Sequence, residues 1–442
     1  MTLTKKPVNG MKDILPAEMA VRIYVTNLIR RTYSEFGFSS IETPAVEHIE
    51  NLLSKQGGEN EKLIFKILKR GEKLNIKEAV TEDAVTDSGL RYDLTLPLSR
   101  YYSNHANELP SPFKALQIGP VWRADRPQRG RFRQFTQCDI DILGDASSLA
   151  EIELILATTT VLARLDFHGF TIRINDRRIL KAMAKKVGFA EEDYDKVFII
   201  LDKMDKIGRD GVREELEQAF SKEQADAYLS QFPDTADNGT DAGNTAPDTA
   251  DKGSDAGNAA SVNAGGTGSA QDTVSGENEF LSASPLPLII STVEAVRSAD
   301  FKIVFDPTLV RGMSYYTGPI FEISMDEYGG SVGGGGRYDE MIGKFTGQST
   351  PAVGFSIGFE RIIMLLLERG FTVPGENEKT AFLVEKGISG EQLSNVFKEA
   401  AEERKNGKAA GIFTMKKNKK FQKDQLAAEG FTDFREIFLR NG

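Results

Sequence analysis

A single cysteine, Cys138, stands in a chain of 442 residues, so no disulfide can close within it. Such usage fits a reducing compartment. Histidine is almost as scarce: His48, His105 and His168 lie far apart, and with one cysteine they form no zinc-ligand pattern. Long apolar runs are missing as well. The longest, such as Ile362 to Leu367, fall far short of the roughly 20 residues a membrane helix needs. The opening residues, MTLTKKPVNGMKDILP, hold no apolar core followed by a cleavage site, which argues against a signal peptide and for a cytoplasmic protein. One segment lacks nearly every core-forming residue. From Pro233 to Glu279 there is no Leu, Ile, Phe, Tyr or Trp, and PDTADNGTDAGN (Pro233–Asn244) recurs as PDTADKGSDAGN (Pro247–Asn258). Ordering a residue costs about 1–2 kcal/mol, and this composition buries too little apolar surface to offset it. A disordered loop over about 233–280 is therefore expected. It has no GGxGxD pattern, so the spaced aspartates do not read as a calcium repeat.

With 40% apolar and 27% charged residues, the remainder reads as a soluble globular protein of two or three domains. The net charge of −10 argues against nucleic acid only superficially. Pro233 to Phe280 holds nine acidic residues against one lysine, which leaves the rest of the chain near −2. Residues 378–442 carry thirteen Lys/Arg against ten Asp/Glu, a balance of +3. Local basic patches then decide what binds. Lys416, Lys417, Lys419, Lys420 and Lys423 form such a cluster, equally readable as a solvated face or an RNA contact.

The richest segment is Phe113 to Gly144, FKALQIGPVWRADRPQRGRFRQFTQCDIDILG. It reads as a strand over Ala115 to Arg123, a basic hairpin tip over Ala124 to Phe132, and a return strand over Arg133 to Leu143. Side chains two apart on a strand share a face. Phe135, Gln137, Asp139 and Asp141 therefore point one way, and Cys138, Ile140 and Ile142 the other. A face carrying Gln, Asp and Asp is costly to bury unless it lines a wet, ligand-binding cleft.

Elsewhere, Asp176–Val187, Glu191–Phe232 and Ser284–Ala299 read as helical, with Leu201, Met204, Ile207, Val212 and Leu216 as core positions. Strands are expected at Lys302–Phe305 and Thr317–Met325. The run Gly333–Gly336 follows, where the backbone can approach a ligand closely. It is no dinucleotide fingerprint, because the RYD after it does not open a βαβ unit. PAVGFSIGFERIIMLLLERG reads as a strand and then a helix with Arg361 at its start. The tail reads as strand, helix, strand, helix: Ala381–Val384, Gly390–Lys405, Ala410–Met415 and Phe421–Glu429, a small α/β unit.

Taken in order, these segments resemble the histidyl-tRNA synthetases over nearly the whole length. Gly10 to Pro16 (GMKDILP) looks like the family's entry segment, and Gly37–Glu47 (GFSSIETPAVE) like motif 1 of class II synthetases, the dimer-forming helix and strand ending at Pro44. Leu90–Arg100 (LRYDLTLPLSR) looks like the amino-acid-binding strand and turn, and Phe113–Gly144 like motif 2. Leu309–Glu322 (LVRGMSYYTGPIFE) and GGGGRYD look like the two histidine-specific motifs, and Gly354–Arg361 (GFSIGFER) like motif 3.

The resemblance implies an α+β fold: a class II antiparallel sheet with flanking helices over 1–174 and 301–372, a mainly helical insertion domain over 175–300, and a shortened anticodon-binding-like α/β domain over 378–442. It implies a homodimer that joins L-histidine to ATP, giving histidyl-adenylate and pyrophosphate, and then passes histidine to tRNA(His). The histidine carboxylate is itself the nucleophile, so phosphate charge dominates the barrier and arginines with Mg2+ are the useful groups. By resemblance, Arg123 binds the α-phosphate and the carboxylate, Arg311 stabilises the transition-state charge opposite it and contributes to the histidine site, and Arg361 binds the γ-phosphate. Phe135 stacks on adenine, and Asp125 and Arg131 hold ATP, with Asp125 the protein group nearest in kind to a magnesium ligand. Asp93, Thr95 and Gln137 hold the α-amino group, and Asp141 and Tyr316 the imidazole nitrogens. Tyr315, beside Tyr316 in the histidine set, is expected to pack in the core. Asp139 receives no role, Glu360 one at the helix start, and Cys138 one in packing.

Three departures from the family pattern stand out. Ser314 occupies a position where many members have Asp. Asp93 stands where bacterial relatives often have Glu. The tail is shorter than the family's usual anticodon-binding domain and is expected to lack most of the last strand-and-helix region. The alternative reading is a non-catalytic, histidine-sensing regulatory subunit of ATP phosphoribosyltransferase, a paralogue that typically loses catalytic arginines; Arg123, Arg311 and Arg361 are all present here.

Overall fold

The computed structural model describes residues 3–53, 60–74, 76, 81–232, 279–310, 315–375 and 378–439. Most of the low-complexity segment, and Arg311 and Ser314 among the expected site positions, lie outside the described residues. The chain divides into two compact units, Met1–Ile174 with Leu288–Phe305 and Arg311–Gly442, and Asn175–Pro287 with Asp306–Val310.

The strands in chain order are β1 (Ser39–Ser40), β2 (Val46–His48), β3 (Lys66–Leu68), β4 (Thr86–Leu90), β5 (Phe113–Trp122), β6 (Gln134–Leu143), β7 (Phe170–Asp176), β8 (Phe301–Phe305), β9 (Pro319–Met325), β10 (Gly330–Arg337), β11 (Ala352–Ile357), β12 (Lys379–Val384), β13 (Ala409–Thr414) and β14 (Phe431–Ile437). Eight form one sheet in the order β1-β5-β6-β11-β10-β9-β7-β8. Its centre is antiparallel from β5 through β9, while β1 joins β5 and β8 joins β7 in parallel. The helix Pro16–Glu35 buries Val21, Val25, Leu28 and Ile29, and the helix Leu149–Arg164 packs against it. The hairpin β5–β6 pairs in a single register from Phe113↔Leu143 to Trp122↔Gln134. That register fixes which side chains of β6 face outward, because a one-residue slip would invert them all. The expected alternation holds: Cys138, Ile140 and Ile142 are buried on one face, and Phe135, Gln137, Asp139 and Asp141 line a cleft on the other.

The glycine run is itself part of strand β10 rather than a loop after a strand. It lies between β9 and β11, and at Gly335 an added Cβ would come 1.9 Å from Gly354 O.

In the second unit, the stretch expected to be helical over Glu191–Phe232 breaks into Tyr194–Leu201, Met204–Ala219 and Lys222–Leu229. Leu201, Val212 and Leu216 are buried, but Met204 is only half-buried and Ile207 is 40% exposed. The spacing misled because one helix ends at Leu201 and Gly208, at φ +68°, kinks the next, so residues on either side share no face.

Residues 378–439 form the three-stranded parallel sheet β13-β12-β14. β12 buries both faces: Phe382 and Val384 meet Val396 and Ala400 of the helix Gly390–Lys405, while Ala381 and Leu383 meet Leu426 of the helix Lys419–Ala428. A strand covered on both sides reads as a continuous apolar run, as AFLV does. Ser389 and Gln392 close a capping box on the first of these helices. The tail keeps a third strand, β14, beyond the four elements read from sequence. Its FTDFREI mixes polar and apolar residues because it is half-buried at the sheet edge.

Candidate functional site

β6, β11 and β10 form the floor of a cleft of about 330 Å³, with the helix Phe359–Glu368 along one side. The size suits a small-molecule site. Of the residues expected at the site, the structure brings Asp93, Thr95, Arg123, Asp125, Arg131, Phe135, Gln137, Asp141, Tyr315, Tyr316 and Arg361 to this one cleft. Arg311 lies outside the described residues.

At the inner end, Asp141 is buried and accepts a 2.6 Å hydrogen bond from Tyr338 Oη. Gly354 pairs with Asp141 across the β6–β11 ladder, and an added Cβ there would lie 2.0 Å from Asp141 Oδ1. Glycine at that position leaves the carboxylate its space. Tyr315 donates to Tyr316 Oη at 3.4 Å, and both line the cleft. Tyr315 is therefore part of the cleft wall and not only of the core beneath it. Burial, the neighbouring Tyr316 and the Asp93 charge hold its hydroxyl well above the usual phenol range. Burial and the Asp141 carboxylate do the same for Tyr338, so both stay neutral donors. Gln137 Oε1 is buried with no hydrogen-bond partner among the described residues, which leaves an acceptor aimed at the cleft. Asp93 is 4% exposed, and its Oδ1 accepts from Leu96 N–H at 3.1 Å where the helix Thr95–His105 begins. That contact fixes the turn carrying Thr95.

At the outer end, Arg123 Nε donates to Tyr92 O at 2.8 Å, and its guanidinium lies 5.2 Å from the centre of the Phe135 ring. The hairpin tip folds back on itself through a bridge between Gln128 and Arg131. Gly130 takes φ +69° there and sits against the Tyr328 hydroxyl and the Arg361 stem. Arg361 lies 5.4 Å from the Tyr328 ring centre and donates to Ser331 O. Arg123 and Arg361 thus both bring a guanidinium to the outer end, and the planar fork of arginine can meet a phosphate bidentately.

Several residues hold this arrangement through contacts that the sequence did not show. Arg91 is 4% exposed and donates to Thr43 O (2.6 Å) and Pro120 O (3.0 Å), tying the segment before Pro44 to β5. Arg337 and Glu151 form a buried two-pronged pair at 2.6 and 2.8 Å, and Arg337 also donates to Asp145 O at 3.0 Å. Asp139 accepts from Ser356 Oγ at 2.5 Å, which ties β6 to β11. Glu360 receives Arg22 through both oxygens, at 2.7 and 2.8 Å, and Thr136 N–H at 3.0 Å. Burial works to lower the Arg22 guanidinium, but the Glu360 hydrogen bond and charges of Glu360 and Glu18 outweigh it and raise it. Tyr338 and Glu360 lie inside the motifs GGGGRYD and GFSIGFER, but Tyr338 received no role and Glu360 only one at the helix start; tertiary structure shows what they touch.

Among the described residues there is no group of three or more His, Cys, Asp or Glu able to hold a metal. In the tail, Lys419 and Lys423 both pair with Glu436, at 2.9 and 2.6 Å, while Lys416, Lys417 and Lys420 are exposed. No helix among the described residues is long and apolar enough to cross a membrane.

A family model described as Histidyl-tRNA synthetase matches residues 10–261 and 269–362. A protein named histidine–tRNA ligase from Leifsonia xyli is 46% identical over 367 residues, 81% of this chain and 80% of its own length. Another of that name, from Christiangramia forsetii, is 34% identical over 446 residues, covering 96% of this chain and 86% of its own. The crystal structure of histidyl-tRNA synthetase from a Nostoc species superposes with a TM-score of 0.70 at 26% identity, over 97% of this chain and 90% of that one.

Proposed function

Because the chain belongs to the histidyl-tRNA synthetase family, we propose that its cleft divides between histidine at the Asp141 end and ATP at the Arg361 end. The activity is that of a histidine–tRNA ligase, which uses ATP to activate histidine and then charges tRNA. The observation that best supports this division is the spread of charge on one strand face. Acceptors (Asp141, Gln137) lie inside, and an aromatic ring (Phe135) beside Arg123 lies towards the open end.

Asp141, oriented by Tyr338, receives an imidazole N–H of histidine, and Tyr316 the other ring nitrogen. Tyr315 buttresses Tyr316. An amino acid lacking those nitrogens would leave buried acceptors unpaired, which is a strong basis for rejection. Asp93, Thr95 and Gln137 Oε1 take the α-ammonium, which has donors only. Arg123 draws the histidine carboxylate and the α-phosphate together and, with Arg311, offsets charge developing there. Arg361 holds the γ-phosphate, and Phe135 stacks on adenine. Magnesium would supply further charge neutralisation on the phosphates, with Asp125 and Arg131 beside it. We further assign residues 1–174 and 301–372 to catalysis, the helical insertion over 175–300 and the domain over 378–442 to tRNA, with a cytoplasmic homodimer as the working form.

A histidine-sensing regulatory subunit is the rival reading, and no finding favours it over the ligase. A solved structure described as an ATP phosphoribosyltransferase regulatory subunit/histidyl-tRNA synthetase, from Bacillus halodurans, shares the fold at 18% identity and speaks to the fold alone. The deciding experiment is pyrophosphate exchange into ATP with each amino acid, followed by tRNA charging. Exchange with histidine alone is the expected result. Histidine binding without exchange would move the assignment to the regulatory type.

A further inference from the structure

The β6–β11 ladder ends at the pair Cys138↔Ile357. Beyond it, residues 134–137 of β6 lose their neighbour on that side, yet this is the stretch that carries Phe135 and Gln137 into the cleft. Thr136 N–H, two residues past the last pair, is received instead by the Glu360 carboxylate at 3.0 Å. Glu360 directly precedes Arg361 on the helix Phe359–Glu368. Its other bonds go to Arg22, which also donates to Thr136 Oγ1 at 3.1 Å and lies 4.9 Å from the Phe359 ring centre. Arg22 and Glu360 are 12% and 10% exposed at their side chains, so solvent screens the pair weakly. Three elements therefore meet at one carboxylate: the helix Pro16–Glu35, the free end of β6, and the helix bearing Arg361.

We propose that Arg22 and Glu360 are positioning residues that set the distance between Phe135 on β6 and Arg361 on the neighbouring helix, and so fix the spacing of the two ends of the ATP site. The proposal rests on the division of the cleft given above. Neither residue is assigned a contact with substrate. Glu360 replaces the missing strand neighbour, and Arg22 holds that carboxylate aimed at Thr136 N–H. Loss of Arg22 frees the carboxylate to turn away, and the outer end of β6 moves independently of Arg361. The inner part of β6, with Asp141, stays in its ladder with β5 and β11. The cost should fall on ATP and not on the imidazole end, since small misplacements of positioning groups are expensive.

The test uses the full chain with Arg22→Ala, Arg22→Lys and Glu360→Gln. Each is read by histidine-dependent pyrophosphate exchange, by equilibrium titration with ATP alone, and by thermal midpoint. The expected result for Arg22→Ala is a rise of about tenfold in KM for ATP and in its Kd, with KM for histidine within about twofold of wild type. Arg22→Lys should recover part of the loss. If Arg22→Ala does not fold, Glu360→Gln, which keeps the shape and an acceptor for Thr136 N–H, is read by the same criteria. A folded variant with unchanged ATP parameters overturns the proposal. So does an equal loss for ATP and histidine that tracks a fall in thermal midpoint, because that is what a merely structural pair would give. Absence of exchange in the wild type would instead count against the ligase reading, and the ATP titrations would still decide this one.

Discussion

The eight-stranded sheet and the three-stranded sheet of the tail bury very different residues. Around the first, Arg91, Asp93, Asp139, Asp141, Glu151 and Arg337 are all less than a tenth exposed. In the second, β12 buries Ala381, Phe382, Leu383 and Val384, and the buried polar residues are Thr380 and Gln422. A buried charge costs several kcal/mol unless paired and hydrogen-bonded. Around the first sheet Asp93, Asp139 and Asp141 line the cleft, while Arg337 pairs with Glu151 and Arg91 is held by backbone carbonyls. The described residues of the tail instead pack an apolar core between two helices, with their charged side chains left on the outside. Between these two sheets, buried charge goes with the one that carries the cleft.

The contrast can be broken most forcefully at Glu151. Glu151→Ala removes the two-pronged partner of Arg337, leaving it Asp339 at 3.3 Å and the Asp145 carbonyl, and removal of one partner of a buried pair costs about 3–5 kcal/mol. Thermal or urea unfolding should show that loss, whereas Thr380→Ala in the tail should stay well below it. Arg123→Ala comes next. If Arg123 offsets transition-state charge, pyrophosphate exchange should fall by about 10²–10³-fold, a loss of the size seen when one such donor is removed. Unchanged exchange would remove Arg123 from the reaction. Tyr338→Phe should have a smaller effect: it takes one donor from Asp141, a hydrogen bond to a charged group worth about 1.5–3 kcal/mol. KM for histidine should rise at least tenfold while KM for ATP stays put. A matching rise for ATP would mean that the two ends of the cleft are not separable.

How legible this was in the sequence follows the same division. The β6 face could be read because strand period alone assigns Phe135, Gln137, Asp139 and Asp141 to one side, and the single β5–β6 register preserved that assignment. AFLV and the helix Gly390–Lys405 could be read because an apolar run and helical periodicity are local signals. The break at Gly208 could not, because a glycine inside a periodic run does not announce a φ of +68°. Nor could the long-range pairs Arg22–Glu360 and Arg337–Glu151, whose members lie 338 and 186 residues apart. The glycine run was visible as a place of close approach, but which neighbour it approaches, Gly354 and behind it Asp141, depends on strand order.

The smallest predicted effect sharpens the comparison from the side of the tail. Its five clustered lysines looked equivalent in sequence. Lys419 and Lys423 already share Glu436, whose carboxyl their hydrogen bonds hold below its usual range, whereas Lys416, Lys417 and Lys420 are exposed on the turn and first residues of the helix Lys419–Ala428. A lysine that faces solvent can exchange counterions for RNA phosphates at little cost, while one held by a carboxylate must first give up that partner. Replacing Lys416, Lys417 and Lys420 with alanine should therefore weaken tRNA binding by a few-fold and flatten its salt dependence, with adenylation untouched. Replacing Lys419 and Lys423 should change tRNA affinity less and stability slightly, since exposed ion pairs contribute about 0–1 kcal/mol. Equal effects from the two sets would mean that the Glu436 pairs do not persist in solution. No effect from either would leave the tail a scaffold whose surface lysines are only solvated, and tRNA contact would have to be sought elsewhere on the chain.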